Sequence, residues 1–104
     1  MRKKPLKMYV LLRKDLGTVY SGVQAGHALA QYSISGDLGL YEKWNNGILV
    51  YLSVPNREDL LLWRDKLNDN NKPFRQFNEP DLGGQITAIS CIDTGDIFKD
   101  LPLA

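Results

Sequence analysis

The only histidine of the chain, His27, shares a predicted helical stripe with two glutamines. Gln24, His27 and Gln31 are spaced by three and four residues, which puts them on one side of an α-helix. A histidine in that position can act as a general acid or base, or hydrogen-bond a ligand. It can equally brace the helix against a sheet, and the residues alone leave both roles open.

Two carboxylates, Glu79 and Asp81, bracket Pro80 just before an apolar segment. Carboxylates in such a loop can orient a water molecule for attack on a substrate. Aspartate is also common in turns because its side chain hydrogen-bonds the local backbone. Taken without other information, the pattern favours a turn.

Basic residues are concentrated at the start of the chain. Six of the 13 lysines and arginines precede the first acidic residue, namely Arg2, Lys3, Lys4, Lys7, Arg13 and Lys14. A local basic patch can steer a phosphate backbone even though the net charge is only +1. The alternative is a solvated terminus with no partner.

Other common chemistries lack their residues. The sequence contains no phosphate-binding loop, dinucleotide fingerprint, nucleophile elbow or paired metal-binding histidines. Its single cysteine, Cys91, cannot form an internal disulfide, lies in a predicted strand and is expected to be a core residue. A reducing, intracellular setting is therefore favoured. The basic start is not followed by an apolar stretch long enough for a signal peptide or a membrane span.

Apolar strands alternate with helices along the chain. Strands are predicted at 6–13, 47–54, 74–78 and 85–92, and helices at 21–34, 38–44, from a cap at Asn56 to 68, and as a final turn at 96–101. We expect Ser21 to cap the first helix, and Gly22 and Gly26 to allow close packing of its backbone. With 104 residues, 43% of them hydrophobic, the pattern predicts one α/β domain over 1–104 with a mixed sheet.

Several segments together resemble a known family. Leu-Leu-Arg-Lys-Asp-Leu at 11–16 and Gly-Val-Gln-Ala-Gly-His-Ala at 22–28 are similar to the start of the type-2 peptidyl-tRNA hydrolases. There, a strand ending in Val-Val-Arg-x-Asp-Leu precedes a helix with Ala-Gln-x-x-His-Ala. Trp44 before a glycine and a strand, Ser-Val-Pro at 53–55 before an acidic, Leu-rich helix, and Glu-Pro-Asp-Leu at 79–82 resemble later segments. The order and spacing of these segments carry the resemblance.

The resemblance implies a fold, an activity and a site. The family fold is a mixed four-stranded sheet with helices on both faces, often dimeric, and the family cleaves the ester that joins a peptide to the 3′ ribose of tRNA. It needs neither a metal nor a cofactor, and a cytoplasmic location follows. By this resemblance His27, Gln24 and either Glu79 or Asp81 form the catalytic site. The residues expected to contact RNA are Arg13, Lys14 and Tyr20.

The chain departs from the family pattern at two turns. The family's Lys-containing, glycine-rich turn corresponds to residues 17–22, which are fewer and include no lysine. Its late, threonine-containing loop is contracted to residues 79–85, with Thr87 retained. Peptidyl-tRNA hydrolysis is the leading expectation, and a non-catalytic module that binds RNA or protein on the same fold is the alternative. An enzyme acting on a different ester or amide is the third.

Overall fold

The computed structural model describes residues 4–104; Arg2 and Lys3 of the predicted basic terminus lie outside the described residues. The elements follow in the order expected from the sequence. They are β1 (Lys7–Arg13), α1 (Thr18–Ser35), α2 (Leu38–Trp44), β2 (Leu49–Val54), α3 (Arg57–Asp69), β3 (Phe74–Glu79) and β4 (Gln85–Asp93). Short 3₁₀ turns at Lys14–Leu16, Pro80–Leu82 and Asp96–Phe98 complete the fold.

The four strands form one open, mixed sheet in the order β2-β1-β4-β3. β1 runs parallel to β2 and antiparallel to β4, and β3 is also antiparallel to β4. This confirms the α/β class and the mixed sheet. Because β1 and β3 share a direction, their carboxyl ends lie at the same end of the sheet. The chain end covers part of the β2 edge, where Ser53 N donates to Pro102 O at 2.9 Å.

Strand β1 is buried on both faces. Met8, Val10 and Leu12 pack on the side of α1 and α2, while Tyr9 and Leu11 pack on the side of α3. Successive side chains of a strand point to opposite faces, so an unbroken apolar run suits a strand that is covered on both sides. The prediction that helices cover both faces of the sheet is confirmed.

Helix α1 begins at Thr18, three residues before the predicted start, so the prediction that Ser21 caps it was wrong. Gly17 is the N-cap, with φ of 84°, a region that favours glycine and lets the chain turn sharply from β1 into the helix. Ser21 lies inside the first turn, where its Oγ donates to Thr18 O at 3.1 Å.

The prediction for Gly22 and Gly26 was also wrong. Both residues are exposed, and a Cβ atom built on either would meet no heavy atom within 4 Å. The helix packs instead through the opposite side, whose buried members include Gln24, Ala25 and Ala28. Small residues therefore occur on both sides of α1, and only those facing the sheet serve packing.

The remaining helices follow their local signals. Asn56 caps α3 as predicted, with its Oδ1 accepting from Asp59 N at 2.9 Å. Leu60 and Leu67 are completely buried, whereas Trp63 is only partly buried and contacts Phe98. Within residues 4–104, no helix is both long and apolar enough to cross a membrane.

Cys91 has the core position expected from its strand. Its side chain is fully buried on the α3 side of β4. Burial raises the pKa of the Cys91 thiol to about 12, so the nucleophilic thiolate is scarce near neutral pH. This thiol is a packing group in the fold.

Candidate functional site

A chain of polar side chains crosses from α1 to the sheet at the carboxyl end of β1 and β3. Gln24, in α1, is completely buried. Its Nε2 donates to Glu79 Oε1 at 3.1 Å, and its Oε1 accepts from Thr87 Oγ1 at 2.6 Å. A carboxylate only accepts hydrogen bonds when ionised, so the amide nitrogen of Gln24 must face Glu79. Each polar group of the amide is therefore matched with a suitable partner.

A β-bulge makes this arrangement possible. Phe77 pairs with Ala88, but the next residue of β3, Asn78, pairs with Ile86, so Thr87 is an extra residue in β4. Ser90 and Ala88 face α1 in regular alternation, which would turn Thr87 toward α3. The bulge reverses the alternation, so Thr87 faces Gln24 and Ile86 packs in the core on the α3 side.

The carboxylate of Glu79 is nearly buried, with 9% of the residue exposed. Its Oε1 accepts from Gln24 Nε2 and, at 3.4 Å, from the hydroxyl of Tyr20. Its Oε2 has no hydrogen bond to the described residues and is not among their fully buried unpartnered oxygens. Among residues 4–104 no lysine, arginine or histidine forms an ion pair with it. A carboxylate held on one oxygen and open on the other can accept a proton from a bound hydroxyl or water.

Tyr20 joins the site from the first turn of α1. Burial, and next the negative charge and hydrogen bond of Glu79, raise the pKa of the Tyr20 hydroxyl above its ordinary value. The phenol therefore stays protonated at neutral pH and acts as a donor. Its prediction as an RNA contact stays a prediction.

Asp81, the second predicted carboxylate, lies apart from this network. It is exposed in the 3₁₀ turn Pro80–Leu82. The turn closes through Gly84 N, which donates to Glu79 O at 2.9 Å, and it ends with two glycines at positive φ, Gly83 and Gly84. Of the two carboxylates that the sequence left open, Glu79 is the one that the fold joins to Gln24.

His27 and Gln24 diverge although both lie on the predicted stripe. His27 is exposed and stacks on Phe77, with ring centroids 4.4 Å apart and an interplanar angle of 10°. A step of three residues turns a helix by about 300°, so it leaves two side chains about 60° apart. That angle separates the buried Gln24 from a histidine at the rim. No hydrogen bond joins His27 to the other described site residues.

Arg13 is largely buried, with 5% exposed. Its Nε and Nη2 donate to the two carboxylate oxygens of Asp15, and its Nη1 donates to Gln85 Oε1 and Ile86 O at 3.0 Å each. The guanidinium holds the pKa of Asp15 below its ordinary value and ties the end of β1 to the start of β4. Its predicted contact with phosphate stays a prediction, although four of its five N–H donors already have partners.

Lys14, the next predicted RNA contact, is exposed beside the start of α1. It lines a cavity of about 440 Å³ together with Thr18, Ser21 and the end of the chain at Pro102–Ala104. Its ammonium group forms no ion pair among the described residues. Lys14 is therefore free to contact an anion at this end of the sheet.

Two members of the site were missed as site residues in the sequence. Thr87 enters the family resemblance only as a retained threonine, and no pattern in the sequence points to Phe77. A polar residue inside the apolar run of β4 was the available signal for Thr87. No local signal pairs Phe77 with His27, because the two are 50 positions apart.

No protein-family model matches the chain, and no curated protein matches its sequence. In residues 4–104, no group of three or more His, Cys, Asp and Glu side chains is arranged to hold a metal ion. Functional inference therefore depends on the residues and the geometry described above.

Proposed function

We propose that this chain hydrolyses the ester bond between the peptide and the tRNA of peptidyl-tRNA. The nearly buried carboxylate of Glu79, held by Gln24 and open on Oε2, is the observation that carries the proposal. Its support is that the Gln24 of the family-like helix and the acidic residue of the family-like turn form one hydrogen-bonded unit, although 55 positions separate them. The same proposal includes the type-2 peptidyl-tRNA hydrolase fold, which is a more specific classification than the α/β class.

Each side chain has a defined role in the proposed reaction. Glu79 Oε2 accepts a proton from a water molecule as the water oxygen attacks the ester carbonyl carbon. Gln24 and Thr87 fix the carboxylate, so its free oxygen keeps one direction. The bond to the ribose oxygen then breaks, that oxygen takes the proton that Glu79 accepted, and a peptide acid, free tRNA and the ionised Glu79 result. Lys14 and Tyr20 contact the RNA.

One observation favours a second candidate function, a non-catalytic module that binds RNA or protein. Residues 17–22, which correspond to the family's lysine-containing turn, include no lysine, and no cation among the described residues pairs with Glu79. A cation near the developing oxyanion would lower the barrier. A chain without one can retain a binding surface while it loses catalysis.

The test is hydrolysis of purified peptidyl-tRNA by the purified protein. The variant Glu79→Gln keeps the size of the side chain but removes the base, so we expect at least a hundred-fold loss of rate, the lower end for general-base catalysis. Asp81→Asn changes the neighbouring exposed carboxylate in the same way and is expected to retain activity.

Three results would count against this assignment. Full activity in Glu79→Gln would remove the base from the proposal, and loss of activity in Asp81→Asn alone would move it to Asp81. A folded wild-type protein that never cleaves peptidyl-tRNA yet retains one defined partner would favour the binding module. The homodimer, the cytoplasmic location and the independence from metal and cofactor also stay predictions, the first to be tested by light scattering.

A further inference from the structure

The seam between α1 and β3 presents a row of different side chains that begins at the proposed site. Arg75, Phe77 and Glu79 alternate along β3, and all three contact α1. Glu79 accepts from Gln24, Phe77 stacks on His27, and Arg75 Nε donates to Ser35 O at 2.8 Å. With a rise of about 3.3 Å per residue, Phe77 lies about 7 Å and Arg75 about 13 Å from Glu79 along the strand.

The middle of this row is a stacked ring pair whose outer member, His27, is exposed. Phe77 covers one face of the His27 imidazole in near-parallel stacking. His27 itself is exposed, and its ring forms no hydrogen bond to the described residues. An exposed planar ring that already stacks on a second ring suits stacking against another planar π system, such as a nucleobase.

The helix side of the seam has no negative charge, and the end of the seam away from Glu79 has a positive one. The 18 residues of α1 include no Asp, Glu, Lys or Arg, so the helix side of the row does not repel phosphate. At the far end, Arg75 is exposed, and its Nη2 makes no hydrogen bond to the described residues. An arginine with a free nitrogen can contact a phosphate oxygen.

We propose that the stacked pair His27–Phe77 is the platform for the 3′-terminal base of the RNA, with Arg75 contacting a phosphate further along. The inference rests on the proposed function, in which the reacting ester lies on the 3′ ribose. The base attached to that ribose must then lie no more than the length of one nucleotide from Glu79. The ring pair meets this condition, since Phe77 lies about 7 Å from Glu79 along β3. His27 accordingly binds substrate and does not transfer a proton.

The test measures binding of an unacylated Cyt-Cyt-Ade trinucleotide, for which no catalysis is needed. Stacking on an aromatic side chain contributes about 1–3 kcal/mol per base, so His27→Ala should weaken binding about 5- to 160-fold. His27→Phe retains a ring and should bind nearly as the wild type does. Ser33→Ala, on the same helix, is the matched control for an exposed change.

A second probe separates the base from the phosphates. A trinucleotide that lacks its 3′ base should bind wild type and His27→Ala equally, whereas Arg75→Gln should weaken both oligonucleotides. Equal binding of the complete trinucleotide by wild type and His27→Ala would overturn the inference, and so would His27→Phe binding as weakly as His27→Ala.

The outcome is independent of hydrolysis. A protein that binds the trinucleotide through His27 but never cleaves peptidyl-tRNA would support the platform and end the enzyme proposal. If the protein cleaves peptidyl-tRNA and His27→Ala leaves KM unchanged, the enzyme proposal is supported and the platform is overturned.

Discussion

Replacement of Thr87 by valine tests the hydrogen bond on which the site geometry depends. The two side chains have nearly the same shape, so Thr87→Val opens no cavity in the sheet. The change removes one hydroxyl, whose oxygen lies 2.6 Å from Gln24 Oε1. Because Gln24 is completely buried, no solvent can replace the lost donor at that oxygen.

The expected destabilisation follows from that burial. A buried acceptor left without its donor costs about 1–3 kcal/mol. The higher strand propensity of valine offsets only a small part of this cost. For a domain of 60–100 residues, close to the 104 residues of this chain, each kcal/mol lowers Tm by roughly 4–8 °C.

Urea denaturation of wild type, Thr87→Val and Thr18→Val is the assay. Thr18 is exposed, and its hydroxyl has no hydrogen bond to the described residues, so its variant should stay within about 0.5 kcal/mol of wild type. The midpoint should fall for Thr87→Val with an unchanged m-value. If the two variants are equally stable, the bulge does not direct Thr87 to Gln24, and the proposed fixing of Glu79 fails with it.

Further predictions concern Tyr20, Gly26 in α1 and Gly36, which follows the end of α1. In Glu79→Gln the pKa of Tyr20 should fall toward its ordinary value of 10.0, because the negative charge that favours the protonated phenol is gone, while burial and an amide oxygen that can accept from the hydroxyl remain. ¹³Cζ-tyrosine NMR measures this pKa, and an unchanged value would contradict the prediction. A raised pKa in the folded state also means that the contribution of Tyr20 to stability is lost as the pH rises above 10.0. Gly26→Ala should raise the free energy of unfolding by about 1 kcal/mol, since alanine favours helix and the new Cβ meets nothing within 4 Å. Gly36→Ala should lower it, because a Cβ there would lie 2.6 Å from Tyr32 O, and equal effects in thermal unfolding would refute this reasoning.

The elements of the fold were predictable where the signals are local. Helix α2 spans the predicted residues, since Asp37 caps it by accepting from Leu40 N at 3.0 Å and Asn45 ends it with φ of 51°. The unbroken apolar run of β1 is likewise a local pattern, and it suits the burial of this strand on both faces. These signals act within a few residues, so a single sequence contains them.

The glycines of α1 show where such reasoning fails. A glycine inside a helix indicates only that something other than helix propensity determines the residue. Close packing against the sheet or another helix was the expected cause, but the sheet-facing positions are taken by Gln24, Ala25 and Ala28, and a Cβ atom on either glycine would meet no heavy atom within 4 Å. The side of a helix that faces the core depends on its start and its docking, which are tertiary properties.

The choice between Glu79 and Asp81 as the carboxylate of the site also depends on tertiary structure, here on how β3 pairs with β4. Glu79 ends β3. Thr87, which shares a hydrogen-bonding partner with Glu79, faces α1 only because of the bulge. With a regular ladder, Ile86 would face Gln24 in place of Thr87, and the amide oxygen would be buried against an apolar side chain. A bulge is an irregularity in the pairing of two strands, and the composition of neither strand predicts it. The grouping of these side chains into one site therefore follows only from the register of β3 and β4, although the sequence contains every residue of the site.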